Sequence, residues 1–143
     1  MFTSTPATTR PNQRLAGMYS DIGAQATANT DASGHALIGM LYEGALGSIA
    51  RARGALRDGD VAAKSQAIRK AVAIVGEGLR SSLNLKQGGQ LAADLDALYG
   101  FVELRLTHAN LHNDDAALDE CARVLRPLYE GWQQIAAQVR VPT

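Results

Sequence analysis

The sequence predicts an all-α protein: an antiparallel up-down four-helix bundle, preceded by a short N-terminal helix and a disordered N-terminal tail. Three observations carry that expectation. Apolar residues recur at spacings of three and four along four long segments. The breaks between these segments are short, which makes neighbouring helices antiparallel. The composition, 46% hydrophobic but only 5% aromatic with 4 prolines in 143 residues, favours helix.

Residues 1–14, rich in Thr, Pro and polar side chains, are expected to be disordered, and 15–143 to form one helical-bundle domain. Leu15, Met18, Tyr19 and Ile22 fall at helical spacing and predict a short helix over 15–26. A loop then leads to an N-cap at Asp31 or Ser33. The four long helices are expected at about 34–57, 60–85, 89–112 and 114–139. Asp58-Gly59-Asp60 is a turn with Asp60 placed to cap the second helix; Gln87-Gly88-Gly89 and Asn113-Asp114 are the other two breaks. Val61, Ser65, Ile68, Val72, Val75 and Leu79 form the second helix's inward stripe. Leu118, Cys121, Leu125, Leu128, Trp132, Ile135 and Val139 form that of the fourth, which Pro127 should kink near Arg123–Arg126.

The first and third helices each carry two apolar faces. Ile38, Tyr42, Ala45, Ile49, Ala52 and Leu56 make one stripe on the first; Leu37, Met40, Gly44 and Gly47 make another, roughly 140° away. On the third, Leu91, Leu95, Leu98, Val102 and Leu106 are opposed by Ala97, Phe101, Leu104 and Leu111. A bundle buries one broad stripe per helix, so the surplus stripes imply a wider core, a dimer interface or a partner groove. Many helical glycines (Gly39, Gly44, Gly47, Gly54, Gly76, Gly78, Gly100, Gly131) point to close backbone approach or local looseness, each at about 1 kcal/mol against Ala.

Fourteen basic residues balance fourteen acidic ones, which argues against a nucleic-acid binder or a polybasic membrane-surface role. No apolar run reaches the roughly 20 residues of a membrane span, and the N-terminus lacks the apolar segment of a secretory signal. One cysteine, Cys121, excludes an internal disulfide and fits a reducing, cytosolic setting. Phosphate-loop, dinucleotide, CxxC, nucleophile-elbow and HExxH motifs are all missing, so no enzyme activity, catalytic residue or cofactor is expected. His108 and His112 share a helix face near Asp114 and Asp115, but two imidazoles fall short of a structural metal's four ligands, and His35 is expected at the far end of the bundle; no metal site is predicted. Cys121 and Trp132 read as core, as does Tyr42 with its hydroxyl at the rim. Arg51, Arg53, Arg57, Arg69 and Lys70 read as solvated faces.

The segment Leu37-Ile38-Gly39-Met40-Leu41-Tyr42-Glu43-Gly44-Ala45-Leu46 resembles the L-I-x-M-L-[FY]-[DE]-G-A-L opening of the flagellar secretion chaperone FliS family. Further signatures follow in order: Gly78-Leu79-Arg80-Ser81-Ser82-Leu83-Asn84, Gly88-Gly89-Gln90-Leu91-Ala92, Leu95-Asp96-Ala97-Leu98-Tyr99, then Ala109-Asn110 with Asn113-Asp114, and Trp132 in the last helix. The resemblance spans about 18–139. Departures are Gly34 for a usual Pro, Leu104-Arg105 for an Arg-Arg pair, Gly76 for a polar residue, and Pro127.

The resemblance implies a cytosolic flagellar type III export chaperone, without catalysis or cofactor. Such a chaperone binds the C-terminal segment of flagellin, prevents its premature polymerisation, keeps it export-competent, and docks on the cytoplasmic domain of the export-gate protein FlhA. Leu37, Met40, Gly44, Gly47, Ala97, Phe101 and Leu104 are the expected flagellin-binding residues, and Tyr19 and Ile22 the export-gate contact or a removable groove cover. The competing expectation is a self-associating structural bundle, its extra stripes consumed in a homodimer.

Overall fold

The computed structural model describes residues 31–140, with side chains over 34–135; the tail 1–14, the helix 15–26 and the residues Tyr19 and Ile22 lie outside the described residues. Helix α1 runs Asp31–Asp58 and α2 Val61–Ala73, the latter continuing into a π-helical segment Ile74–Arg80; α3 is Gly89–His112 and α4 is Asp115–Arg140. α1 packs on α2 and α4, and α3 packs on the same two helices, so α1 and α3 stand diagonally across an up-down bundle.

The connections follow from local chemistry. Gly59 (φ 72°) turns the chain, and Asp60 Oδ1 then accepts from the Ala63 N–H at 3.0 Å, capping α2. Asn113 ends α3 in the left-handed region (φ 52°), and Asp114 Oδ1 accepts from the Ala117 N–H at 3.2 Å to start α4. The core is one cluster drawn from all four helices, centred on Ile49, Ile68, Val75, Leu79, Val102, Leu106, Leu118 and Leu125.

Several expectations are corrected. α1 begins at Asp31, so Ser33 is helical and not the cap. The second helix stops at Arg80 instead of residue 85, and turns fill the gap before α3. Its last seven residues are π-helical, with the Ser81 N–H reaching the Gly76 carbonyl at 3.2 Å. Gly76 and Gly78 weaken the α-helical preference there, which makes the wider turn cheap. Val61 and Ile135 are exposed, because each lies near a helix end beyond the neighbouring helix's cover. Leu91, in the first turn of α3, is 69% exposed for the same reason, while Tyr99 and Ala109 join the buried stripe of α3. The Tyr42 hydroxyl is not at a rim: it is buried 2.5 Å from that of Tyr99. Arg53 is no free solvated cation; it crosses from α1 to Asp115 (2.8 Å) and Asp119 (3.0 Å) of α4. The kink expected at Pro127 is not one of these corrections: the residue lies inside α4, its ring on the exposed face where water can serve the released Arg123 carbonyl.

Candidate partner-binding surface

The surplus stripe of α3 faces away from the core. Leu104 is 73% exposed, Leu111 76% and Phe101 38%, and Ala97 is exposed beside them. Fully burying a leucine contributes about 1.5–3 kcal/mol, so this face loses that stabilisation unless something covers it. Leu104 and Leu111 lie one turn to either side of Thr107, and Thr107 borders a shallow groove between α2 and α3. Ile68, Val72 and Ala73 give the groove an apolar floor, Asn110 closes its α3 wall, and Arg69 and Glu77 stand on its α2 rim. Groove and outward stripe together form one apolar strip.

The expected residues of α1 are not a single patch. Met40 is 47% exposed, and Gly47 faces open surface apart from the side chain of Arg51. Leu37 is partly buried against the core. Gly44 lies over α2, where an added Cβ would sit 3.2 Å from Ile74 Cδ1; its small size serves helix packing. Because α1 and α3 are diagonal, Met40 and Gly47 are separated from Ala97, Phe101 and Leu104 by the breadth of the bundle.

Two polar devices hold α3 in position. Lys64 of α2, only 3% exposed, donates from Nζ to the Asn110 carbonyl and to Asn110 Oδ1, both at 2.8 Å; Ser65 Oγ donates to the same Oδ1 at 3.0 Å. The last carbonyls of a helix lack intrahelical donors and carry the negative end of its dipole, so a buried ammonium belongs there. This is the physical content of the Ala109-Asn110…Asn113-Asp114 signature: Asn110 receives Lys64, Asn113 makes the left-handed stop, and Asp114 opens α4. At the other end, Arg80 bonds Asp96 (2.7 Å) and Glu103 (2.8 Å) of α3. An added Cβ on Gly76 would lie 2.5 Å from Glu103 Oε2, and one on Gly100 3.1 Å from an Arg80 nitrogen, so each glycine makes room for the opposite helix's charge. Gly76, a departure from the family pattern, is thus matched by Glu103 lying across it.

The electrostatics are structural. Arg80 holds the Asp96 carboxyl below its ordinary value, Arg53 does the same for Asp115, and the Ala117 N–H, helped by His108, does so for Asp114. Burial pushes the Tyr42 and Tyr99 hydroxyls up, and the Cys121 thiol up to about 12, so that thiol packs as a small hydrophobe against α3. The His108 and His112 rings meet at 4.6 Å, tilted 47° to each other, with His108 Nε2 3.2 Å from Asp114; His35 lies at the opposite end of α4, stacked on Trp132 at 4.0 Å. Among the described residues no group of three or more His, Cys, Asp or Glu is arranged to hold a metal, and no helix is long and apolar enough to cross a membrane.

Sequence reasoning missed Lys64, Arg80 and the groove. A lysine at a core-facing position four residues after the Asp60 cap was the one available signal for the first. Arg80 and the groove depend on how α2 and α3 meet.

Fold and surface define a helical bundle whose polar networks hold its helices together and whose surplus apolar side chains face outward. The comparisons specify the kind. A family model, Flagellar protein FliS, matches residues 16–139. The chain is 40% identical over 126 residues to the flagellar secretion chaperone FliS of Salmonella typhimurium, covering 83% of this chain and 93% of that protein. It is 39% identical over 118 residues to FliSB of Pseudomonas aeruginosa (82% and 92%), and 30% identical over 110 residues to FliS of Bacillus subtilis (77% and 80%). The chain belongs to the FliS family of flagellar secretion chaperones.

Proposed function

We propose that this protein is a cytosolic chaperone that binds the C-terminal segment of flagellin, prevents its premature polymerisation and keeps it competent for type III export. The observation that carries this reading is the outward apolar strip of Phe101, Leu104 and Leu111, continuous with the α2–α3 groove, on a chain of this family. A disordered segment that folds on binding must bury a large apolar area to offset its ordering entropy, and a segment wrapping the bundle can reach both that strip and the Met40–Gly47 face of α1. Leu37, Met40, Gly47, Ala97, Phe101 and Leu104 are the proposed contacts, with Gly44 kept for packing. The work is binding, with no catalytic step or cofactor. Delivery is proposed to run through the cytoplasmic domain of the export-gate protein FlhA, with Tyr19 as the docking residue.

The test uses the flagellin C-terminal segment and calorimetry. Phe101→Asp and Leu104→Asp should each weaken binding at least tenfold while circular dichroism and Tm stay near wild type. Wild-type affinity in both folded variants sinks the assignment. If light scattering instead shows a stable homodimer that these variants dissociate, the strip is a self-association surface. Tyr19→Ala should leave flagellin binding intact and lose FlhA capture.

A further inference from the structure

The rim of the α2–α3 groove carries two opposite charges. Arg69 borders it from α2 and Glu77 from the π-helical continuation, eight residues on, which places them roughly 12 Å apart along the axis. Both are exposed, and neither makes an ion pair or a side-chain hydrogen bond among the described residues, whereas Arg53, Arg80 and Arg105 are each paired across helices. The apolar line beside them, Leu104 and Leu111 about the groove at Thr107, has the spacing of an α-helix's contact face.

We infer that the groove takes an amphipathic helix of the flagellin tail preferentially in one direction, antiparallel to α2 and parallel to α3, with Arg69 and Glu77 setting that preference. The inference rests on the proposed flagellin-binding reading. A helix carries partial positive charge at its N-terminus and partial negative charge at its C-terminus. The favourable orientation therefore sets the incoming N-terminus toward Glu77 and the C-terminus toward Arg69. Acidic side chains on the ligand rim add to the contact at Arg69, and basic ones at Glu77. The opposite direction sets like charges together at both ends. The apolar strip supplies affinity in either direction, so the two charges act as specificity determinants.

The experiment has two arms, both on the full chain with the flagellin C-terminal segment. In the first, Arg69→Glu and Glu77→Arg are measured singly and together. Each single reversal should weaken binding about threefold at low salt, while the pair, which exchanges the two charges, should recover most of the wild-type affinity with the helix turned round; the differences should shrink at 0.5 M salt, where screening is strong. In the second, a nitroxide is attached in turn to the first and the last residue of the flagellin helix whose binding shifts the Ala73 and Thr107 amide signals. The first position should broaden amides near Glu77, and the last those near Arg69. The reverse pattern in the wild-type chain, or wild-type affinity in both single-reversal variants while Leu104→Asp still loses binding, overturns the inference and leaves the chaperone reading standing. No binding by the wild-type chain overturns both.

Discussion

The α1–α4 seam and the α2–α3 seam are built from opposite materials. Between α1 and α4 the side chains are large and interlocked. His35 stacks on Trp132, its Nε2–H donates to the Trp132 carbonyl at 2.8 Å, and the indole N–H donates back to the His35 carbonyl at 2.9 Å. Tyr129 leans on Tyr42 and donates to Glu43, and Arg53 forks onto Asp115 and Asp119. Between α2 and α3 the materials are glycines, a π-turn, a buried lysine and an open groove. The difference teaches that one side of the bundle is closed by filling it, while the other is fixed at its two ends and left open between. On the proposed reading, the closed seam is the rigid frame and the open seam the apolar surface left for a partner.

The largest effect should come from breaking the closed seam. Trp132→Ala removes a half-buried ring, its stack on His35 and the indole N–H bond to the His35 carbonyl, and is expected to cost about 3 kcal/mol, roughly 10 °C in Tm by calorimetry. A loss below about 1 kcal/mol would mean the clamp is not structural.

The next effect tests the end of the open seam. Gly88→Ala places a Cβ 2.6 Å from that of Ala92 and 2.7 Å from the Asn84 carbonyl oxygen, and neither can swing away. Its cost is expected at about 2 kcal/mol in chemical denaturation. Gly76→Ala, by contrast, meets only the movable tip of Glu103, and the gain in helix propensity should leave stability within about 1 kcal/mol of wild type.

A smaller effect sharpens the role of Lys64. Lys64→Met keeps the aliphatic stem but strips the Asn110 carbonyl of its donor, which is expected to cost about 1–2 kcal/mol. A double-mutant cycle with Asn110→Ala, which removes the Oδ1 acceptor and keeps the carbonyl, should return a coupling of about 1 kcal/mol; additivity would show that the Lys64–Oδ1 bond contributes nothing.

The smallest effect is acid sensitivity. Asp96, Asp114 and Asp115 are held below their ordinary value of 3.8 in the folded chain. A carboxylate with a depressed folded pKa adds stability above its unfolded pKa and loses it as pH falls through the folded value. Tm should therefore be insensitive to these groups near neutrality and decline below about pH 4, and Asp96→Asn should blunt that decline. These side chains are largely solvated, so each contribution is small.

The fold was legible in the sequence because it rests on local rules. Periodic Ile, Leu and Val positions set the helices, Asp60 and Asp114 cap them, Gly59 and Asn113 turn the chain, and short breaks force the up-down order. The outward stripe of α3 was legible too, since a helix cannot bury opposite faces at once in a four-helix bundle. The sequence by itself therefore determined the helices, their order and the surplus of apolar surface. The tertiary structure decided which surplus stayed open. Gly44 went to packing on Ile74 while Leu104 stayed in solvent, and the Tyr42 hydroxyl found Tyr99 from a helix diagonally across the core. It also decided that Lys64 would serve a helix end 46 residues away and that Arg80 would reach α3 from a π-turn. The reason is physical: periodicity fixes a residue's direction from its own helix axis, whereas burial and pairing depend on what the neighbouring helix presents at that height.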